Sequence, residues 1–165
     1  MPATYEPIAT TTLGSAQASV TFSSISGSYT DLILVSMPLS ASSDNLTMQF
    51  NSDTGTNYST TILWGNGSSA GSTRQSNTAT PYMSYYALTN ATPSTSIFHI
   101  MNYANTTTYK TTLVRVGNAS SSGGTDAEVM LWRSTSAITS ILIKQYGGSN
   151  LSSGSTFTLY GIKAA

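Results

Sequence analysis

Three places in this 165-residue chain hold residue types from which a catalytic or metal centre could be built. The first is His99, the one histidine, set in Ile97-Phe98-His99-Ile100-Met101. Strand alternation puts it on the same face as Ile97 and Met101. A base of this kind works with an oriented nucleophile and a third group that holds the ring. No Gly-x-Ser-x-Gly elbow supplies one, so His99 reads as a hydrogen-bonded structural residue. The second place is Asp126 and Glu128, two apart at the start of a strand and therefore on one side of it. Such a pair could act as acid and base on a glycoside or hold a cation. The simpler reading is a charged strand edge that discourages unwanted pairing. The third is Asn51-Ser52-Asp53-Thr54-Gly55-Thr56-Asn57, with oxygen ligands at alternate positions as in calcium loops. It lacks a second carboxylate and the closing Glu, and an Asx-rich hairpin turn accounts for the same letters. The residues therefore predict no enzyme, no cofactor and no metal.

Recognition is the other chemistry on offer. Tyr82, Tyr85 and Tyr86, with Trp64 and Trp132, could give large rigid contact area with a polar handle, suited to protein surfaces and sugar faces alike. Alternation splits the trio: Tyr82 and Tyr86 share a face and Tyr85 opposes them. Residues 65–80 are weakly patterned Gly, Ser, Asn and Thr with one charge, Arg74, and read as a long loop of the functional or mobile kind. Tyr82, Tyr85, Tyr86, Trp64 and Arg74 form the candidate interaction surface.

Composition removes other classes. Charged residues make up 7% of the chain, six Lys+Arg against six Asp+Glu. The cations are scattered singly, so no surface is built to neutralise phosphates, and nucleic acid is excluded as a partner. With 39% hydrophobic residues and zero net charge, disorder is disfavoured. The absence of cysteine rules out disulfides and thiolate metal sites. The first residues, Met1-Pro2-Ala3-Thr4-Tyr5-Glu6-Pro7, lack the basic and apolar regions of a secretory signal, and no stretch approaches the roughly 18 apolar residues of a spanning helix. A soluble chain with no membrane partner is expected.

The elements that must position these residues are strands. No window shows apolar letters at helical spacing, and Ser, Thr, Gly and Asn are poor helix formers. Leu46-Thr47-Met48-Gln49-Phe50 and Thr156-Phe157-Thr158-Leu159-Tyr160 alternate as half-buried strands. Residues 32–35 and 141–143 are apolar on both faces, as expected under a second sheet or a neighbouring subunit. Further strands are predicted over 19–22, 58–64, 82–88, 96–103, 110–116 and 127–133. Turn chemistry fills the intervals, including Gly65-Asn66-Gly67 and Ser122-Gly123-Gly124. Eight to ten short strands so spaced predict an all-β, antiparallel, jelly-roll-like β-sandwich over residues 13–165. Residues 1–12, carrying Pro2 and Pro7, read as an extended N-terminal arm or an edge strand, and such an arm can dock on another subunit.

Three segments, taken in order, resemble a known group. They are Val20-Thr21-Phe22-Ser23-Ser24-Ile25-Ser26-Gly27-Ser28-Tyr29-Thr30-Asp31-Leu32, then Phe50-Asn51-Ser52-Asp53 with Asn57-Tyr58-Ser59, and Phe157-Thr158-Leu159-Tyr160-Gly161-Ile162-Lys163. Together they are similar to small β-sandwich or jelly-roll virion proteins of tailed bacteriophages, cyanophages among them. That resemblance implies a non-enzymatic virion component. Its foremost form is a capsid decoration (cement) protein, a homotrimer made in the host cytoplasm that sits on the capsid surface and bridges copies of the major capsid protein. The alternative it implies is a tail-fibre head or receptor-binding module, whose partners would be a fibre shaft protein and host surface polysaccharide.

Overall fold

A computed structural model describes residues 4–88, 92, 94–119 and 123–163, the side chains of 86–88 excepted. Every regular element in it is a strand: β1 (Tyr5–Thr12), β2 (Ser19–Phe22), β3 (Asp31–Met37), β4 (Asp44–Phe50), β5 (Tyr58–Gly65), β6 (Ala70–Thr78), β7 (Met83–Leu88), β8 (Ser94–Met101), β9 (Lys110–Asn118), β10 (Thr125–Trp132), β11 (Ile141–Gln145) and β12 (Thr156–Ile162). They form two antiparallel sheets, ordered β1-β12-β3-β8-β9-β10-β5-β6 and β2-β11-β4-β7.

The order has a simple logic. β1, β12, β3 and β8 face β2, β11, β4 and β7, and the chain passes from one group to the other strand by strand. This is the eight-stranded jelly roll. Two hairpins are inserted into it, β5–β6 after β4 and β9–β10 after β8, and both extend the first sheet beyond β8. Eight strands on one side thus face four on the other.

Alternation in the sequence becomes burial in the sandwich. Leu32 and Leu34 of β3, Leu46, Met48 and Phe50 of β4, Phe98 and Ile100 of β8, Ile141 and Ile143 of β11, and Phe157 and Leu159 of β12 meet in one core. Residues 32–35 and 141–143 each send one set of side chains inward, while Ile33, Val35 and Leu142 lie half-buried on the outer faces. In β4 the outward Thr47 and Gln49 are buried too. Gln49 Nε2 donates to the Ala79 carbonyl at 2.7 Å, which draws the segment before β7 over that face.

Two segments take forms the alternation rules could not fully specify. Residues 65–80 are not a long loop. They make a tight turn and the edge strand β6, paired with β5 from Gly65↔Ala70 to Tyr58↔Thr78. Asn66 Oδ1 accepts from the N–H groups of Ser68 and Ser69, and Gly67 takes a left-handed φ of 85°, closing the turn. The strand escapes detection because its inward positions are Gly71, Thr73 and Gln75, with no apolar letters to alternate. At the other end, residues 5–12 form β1, the opposite edge of the same sheet, along β12 with a bulge between Pro7 and Ala9.

Gly161 shows how tightly the inner face of β12 is filled. A Cβ there would overlap the ring of Tyr29, which packs over the strand against the core. Gly161→Ala should therefore lower stability by roughly 1–3 kcal/mol through overpacking, and the cost should shrink in a Tyr29→Ala background. Equilibrium denaturation of the four proteins measures it. An equal cost in both backgrounds would contradict the packing described.

Candidate functional site

Of the three chemical groupings in the sequence, the carboxyl pair departs most from expectation. Asp126 and Glu128 do share a side, but β10 lies between β9 and β5, so the pair is not on a sheet edge. Both side chains point inward and are 4% and 3% exposed. They sit where β9, β10 and β5 project past the four-stranded sheet and β7 crosses over them. Glu128 accepts the Ser84 N–H at 2.9 Å on one oxygen and the Tyr85 N–H at 2.8 Å on the other. Ser84 is held at φ 58°, in the left-handed region. Burial first, and the neighbouring Asp126 second, push the Glu128 pKa up to about 8 against the pull of the two N–H donors. A hydrogen bond joins the two carboxyls. At neutral pH the two carboxyls hold one proton between them. The arrangement fastens the β7 backbone to β10 and keeps both carboxyls buried.

The Asn51 to Asn57 grouping is likewise filled from within. Asp53 Oδ1 accepts from the Gly55 N–H at 2.8 Å, and Oδ2 accepts from Asn57 Nδ2 at 2.9 Å and from Trp132 Nε1 at 2.7 Å. Burial works to raise the Asp53 pKa, and the donors Trp132, Asn57 and Gly55 together overcome it and hold the group below its ordinary value. Those donors point hydrogens where a cation would need oxygens. Beneath this turn, Trp132 meets Phe50 edge-on with centroids 5.5 Å apart and stacks on Tyr58 at 6.3 Å. The Tyr58 hydroxyl donates to the Asp53 carbonyl at 3.2 Å. The loop is an Asx turn that locks an aromatic cluster.

His99 extends from the outer face of β8, and its Nε2 lies 2.9 Å from Asp31 Oδ2 on neighbouring β3. The other oxygen of Asp31 accepts the Asn102 N–H at 2.7 Å. Arg133 donates to Ser59 Oγ, Asn77 Oδ1 and the carbonyls of Thr56 and Tyr58, tying β10 to the β5–β6 hairpin. Lys110, buried at the start of β9, donates from Nζ to the carbonyls of Thr108 and Thr135.

The five candidate interaction residues are distributed over several surfaces. Trp64 stacks on Tyr85 across the two sheets at 6.5 Å, with Gly71 against the indole. Tyr82 packs on Tyr146 with ring centroids 4.2 Å apart, near Asp44. Arg74 pairs with Thr61 and lies exposed on the outer face of β6. The Tyr86 side chain lies outside the described residues.

A surface absent from that selection gathers the apolar side chains left in solvent. Among the described residues six large hydrophobic side chains are exposed: Tyr5, Met37, Leu63, Tyr109, Leu113 and Val129. All but Tyr109 lie on the outer face of the eight-stranded sheet. Two rows of paired residues cross it, Leu63-Ala127-Arg115-Ile97-Val35 and Val129-Leu113-His99-Ile33-Tyr160. A groove of about 460 Å³ opens between Thr61, Leu63, Ile97, His99, Leu113 and Val129. The signal was present in the sequence: Ile62-Leu63, Leu113-Val114 and Val129-Met130 break the Thr/Ser alternation with adjacent apolar letters, one inward and one outward.

The two carboxylates predict opposite responses to pH. For Glu128 the folded pKa lies above its ordinary value of 4.5, so the folded state holds more proton and stability falls as pH rises from 4.5 to about 8. For Asp53 the folded pKa lies below 3.8, so stability is lost as pH falls through the acid range. Denaturation midpoints should peak near pH 4 to 5, and Glu128→Gln should flatten the decline toward pH 8. A wild-type midpoint that rises between pH 5 and pH 8 would contradict the proton held by the pair.

No family model and no curated protein matches the chain. Among solved structures it is similar to the crystal structure of the Caenorhabditis elegans galectin LEC-6, with 11% identity over 94% of this chain and 96% of that one, at a TM-score of 0.37. At that score the likeness carries no argument.

Proposed function

We propose that the chain is a structural protein of a bacteriophage virion, a capsid decoration protein that stabilises the shell by bridging capsomers and performs no catalytic step. The observation that carries this reading is the use to which the fold puts its reactive groups. Glu128 fastens a strand, Asp53 caps a turn and an indole, and Asp31 is engaged by His99 and Asn102. Glu128, Asp53 and Asp31 are each bound by groups of the same chain. A cement protein asks for that: a preformed outline placed many times on a lattice, with shell rupture requiring several contacts to break together. Its partners on this reading are the major capsid protein and other copies of itself, the resemblance implying a homotrimer, and its place is the capsid surface.

The second reading, a fibre head or receptor-binding module, draws on the half-buried Tyr82–Tyr146 and Trp64–Tyr85 ring pairs, which offer aromatic faces of the kind sugars stack on. Its partners would be a fibre shaft and host polysaccharide.

Virions stripped of the protein should release their genome at a lower temperature than complete ones, and adding the protein back should restore the difference. Identical release curves would reject cementing. Saturable binding of the isolated protein to a host-glycan array, lost on Tyr82→Ala, would favour the second reading.

A further inference from the structure

We infer that the outer face of the eight-stranded sheet is a contact surface for a second copy of this chain, packed face to face about a two-fold axis. The inference rests on the reading of a many-copy assembly and adds the surface and its symmetry.

The first argument is distribution. A monomer scatters its exposed apolar side chains singly, and a contiguous group marks a surface that something covers. Here Tyr5, Met37, Leu63, Leu113 and Val129 share one face, 57%, 44%, 59%, 41% and 44% exposed, and among the described residues only Tyr109 lies off it. Between them Ile33, Val35 and Ile97 are half-buried in the same plane.

The second argument is area. Eight strands about 4.8 Å apart, each presenting roughly 20 Å of length, make a face on the order of 700 Å². A standard stable interface takes roughly 600–1,000 Å² from each partner. The whole face, not the groove alone, is thus of dimer size.

The third argument selects the occupant and the symmetry. The contacts inside a homotrimer are heterologous and would use other surfaces, so the two-fold contact proposed here joins two such rings or two single copies; placed inside a ring, this face would meet a different surface of the next molecule. Among the described residues no second apolar surface exists to meet it, since Tyr109 is the only large hydrophobic exposed elsewhere. An isologous contact covers apolar face with apolar face in both copies at once. The charges agree with it. Asp31 and Arg115 lie diagonally on either side of His99, one two positions from Ile33, which pairs with His99, the other two from Leu113, which pairs with its opposite edge. A two-fold axis lying in the interface over His99 and perpendicular to the Asp31–Arg115 diagonal sets Arg115 of each copy against Asp31 of the other. The groove beside Leu63 and Leu113 leaves room for side chains projecting from the facing sheet.

The test is solution mass by light scattering and sedimentation, on the full chain and on Leu63→Lys, Val129→Lys and Tyr109→Lys. All three sites are exposed, so the variants should keep the wild-type strand spectrum and unfold cooperatively. The expected result is a dimer, or a larger species with an even number of copies, for the wild type and Tyr109→Lys. Leu63→Lys and Val129→Lys should fall to half that mass or weaken association at least tenfold. A wild type that is monomeric at all concentrations overturns the inference, as does an oligomer of any size indifferent to both face variants. If the isolated chain is monomeric but Leu63→Lys fails to load onto virions, the face belongs to another protein and the inference also fails. Because the readout is mass, it is separate from genome release: a dimer that adds nothing to capsid stability would reject cementing and leave the interface standing.

Discussion

Eight strands lie in one sheet of this protein and four in the other, so the smaller can close the inner surface of the larger only if its edge strand reaches beyond β8. An inserted hairpin can be added to a sheet edge cheaply, because the ladder supplies its own hydrogen bonds, but the new inner face must then be kept from water. The chain meets this need with β7. That strand pairs on one side with β4, crosses beneath β8, β9 and β10, and leaves its Ser84 and Tyr85 N–H groups without a strand on the other side. Buried N–H groups without acceptors are costly. Glu128 supplies both acceptors, and one proton shared with Asp126 lets two carboxyls occupy a space that two carboxylates could not share.

The same economy runs through the remaining polar groups. Asp53 joins the β4–β5 turn to the Trp132 indole, Arg133 joins β10 to the outer hairpin, and Gln145 in β11 donates to Ser40 Oγ and the Asn150 carbonyl. A chain with few charges and many hydroxyls is held by specific short-range bonds between segments distant in sequence, on a core of conventional aliphatic and aromatic packing. Reactive side chains serve as ties.

Most of the fold was legible. Strands with apolar letters at every second place, such as β4 and β12, declare their inward face through period-two burial, and glycine and asparagine clusters mark the bends between them. β6 was not legible because it buries almost nothing apolar and exists through its ladder to β5. The burial of Asp126 and Glu128 was hidden for a related reason. Alternation shows that two residues share a side, but which side is inward at the end of a strand depends on its neighbours in the sheet, and β10 reaches β5 only through an insertion far away in sequence. With that pairing known, Ile62 and Met130 fix the inward side and the carboxyls follow. The outer apolar face was written in the letters but could be recognised only once the two sheets had claimed their inner residues.

The central claim is that Glu128 closes the sandwich by holding the β7 backbone. Hydrogen exchange at the Ser84 and Tyr85 amides, followed at near-neutral pH, reads that bond directly. They should exchange as slowly as amides of the central strands, and Glu128→Ala should speed both by orders of magnitude while the β3 and β12 amides keep most of their protection. Exchange at those two amides as fast as in the exposed turns of the wild-type protein would contradict the account.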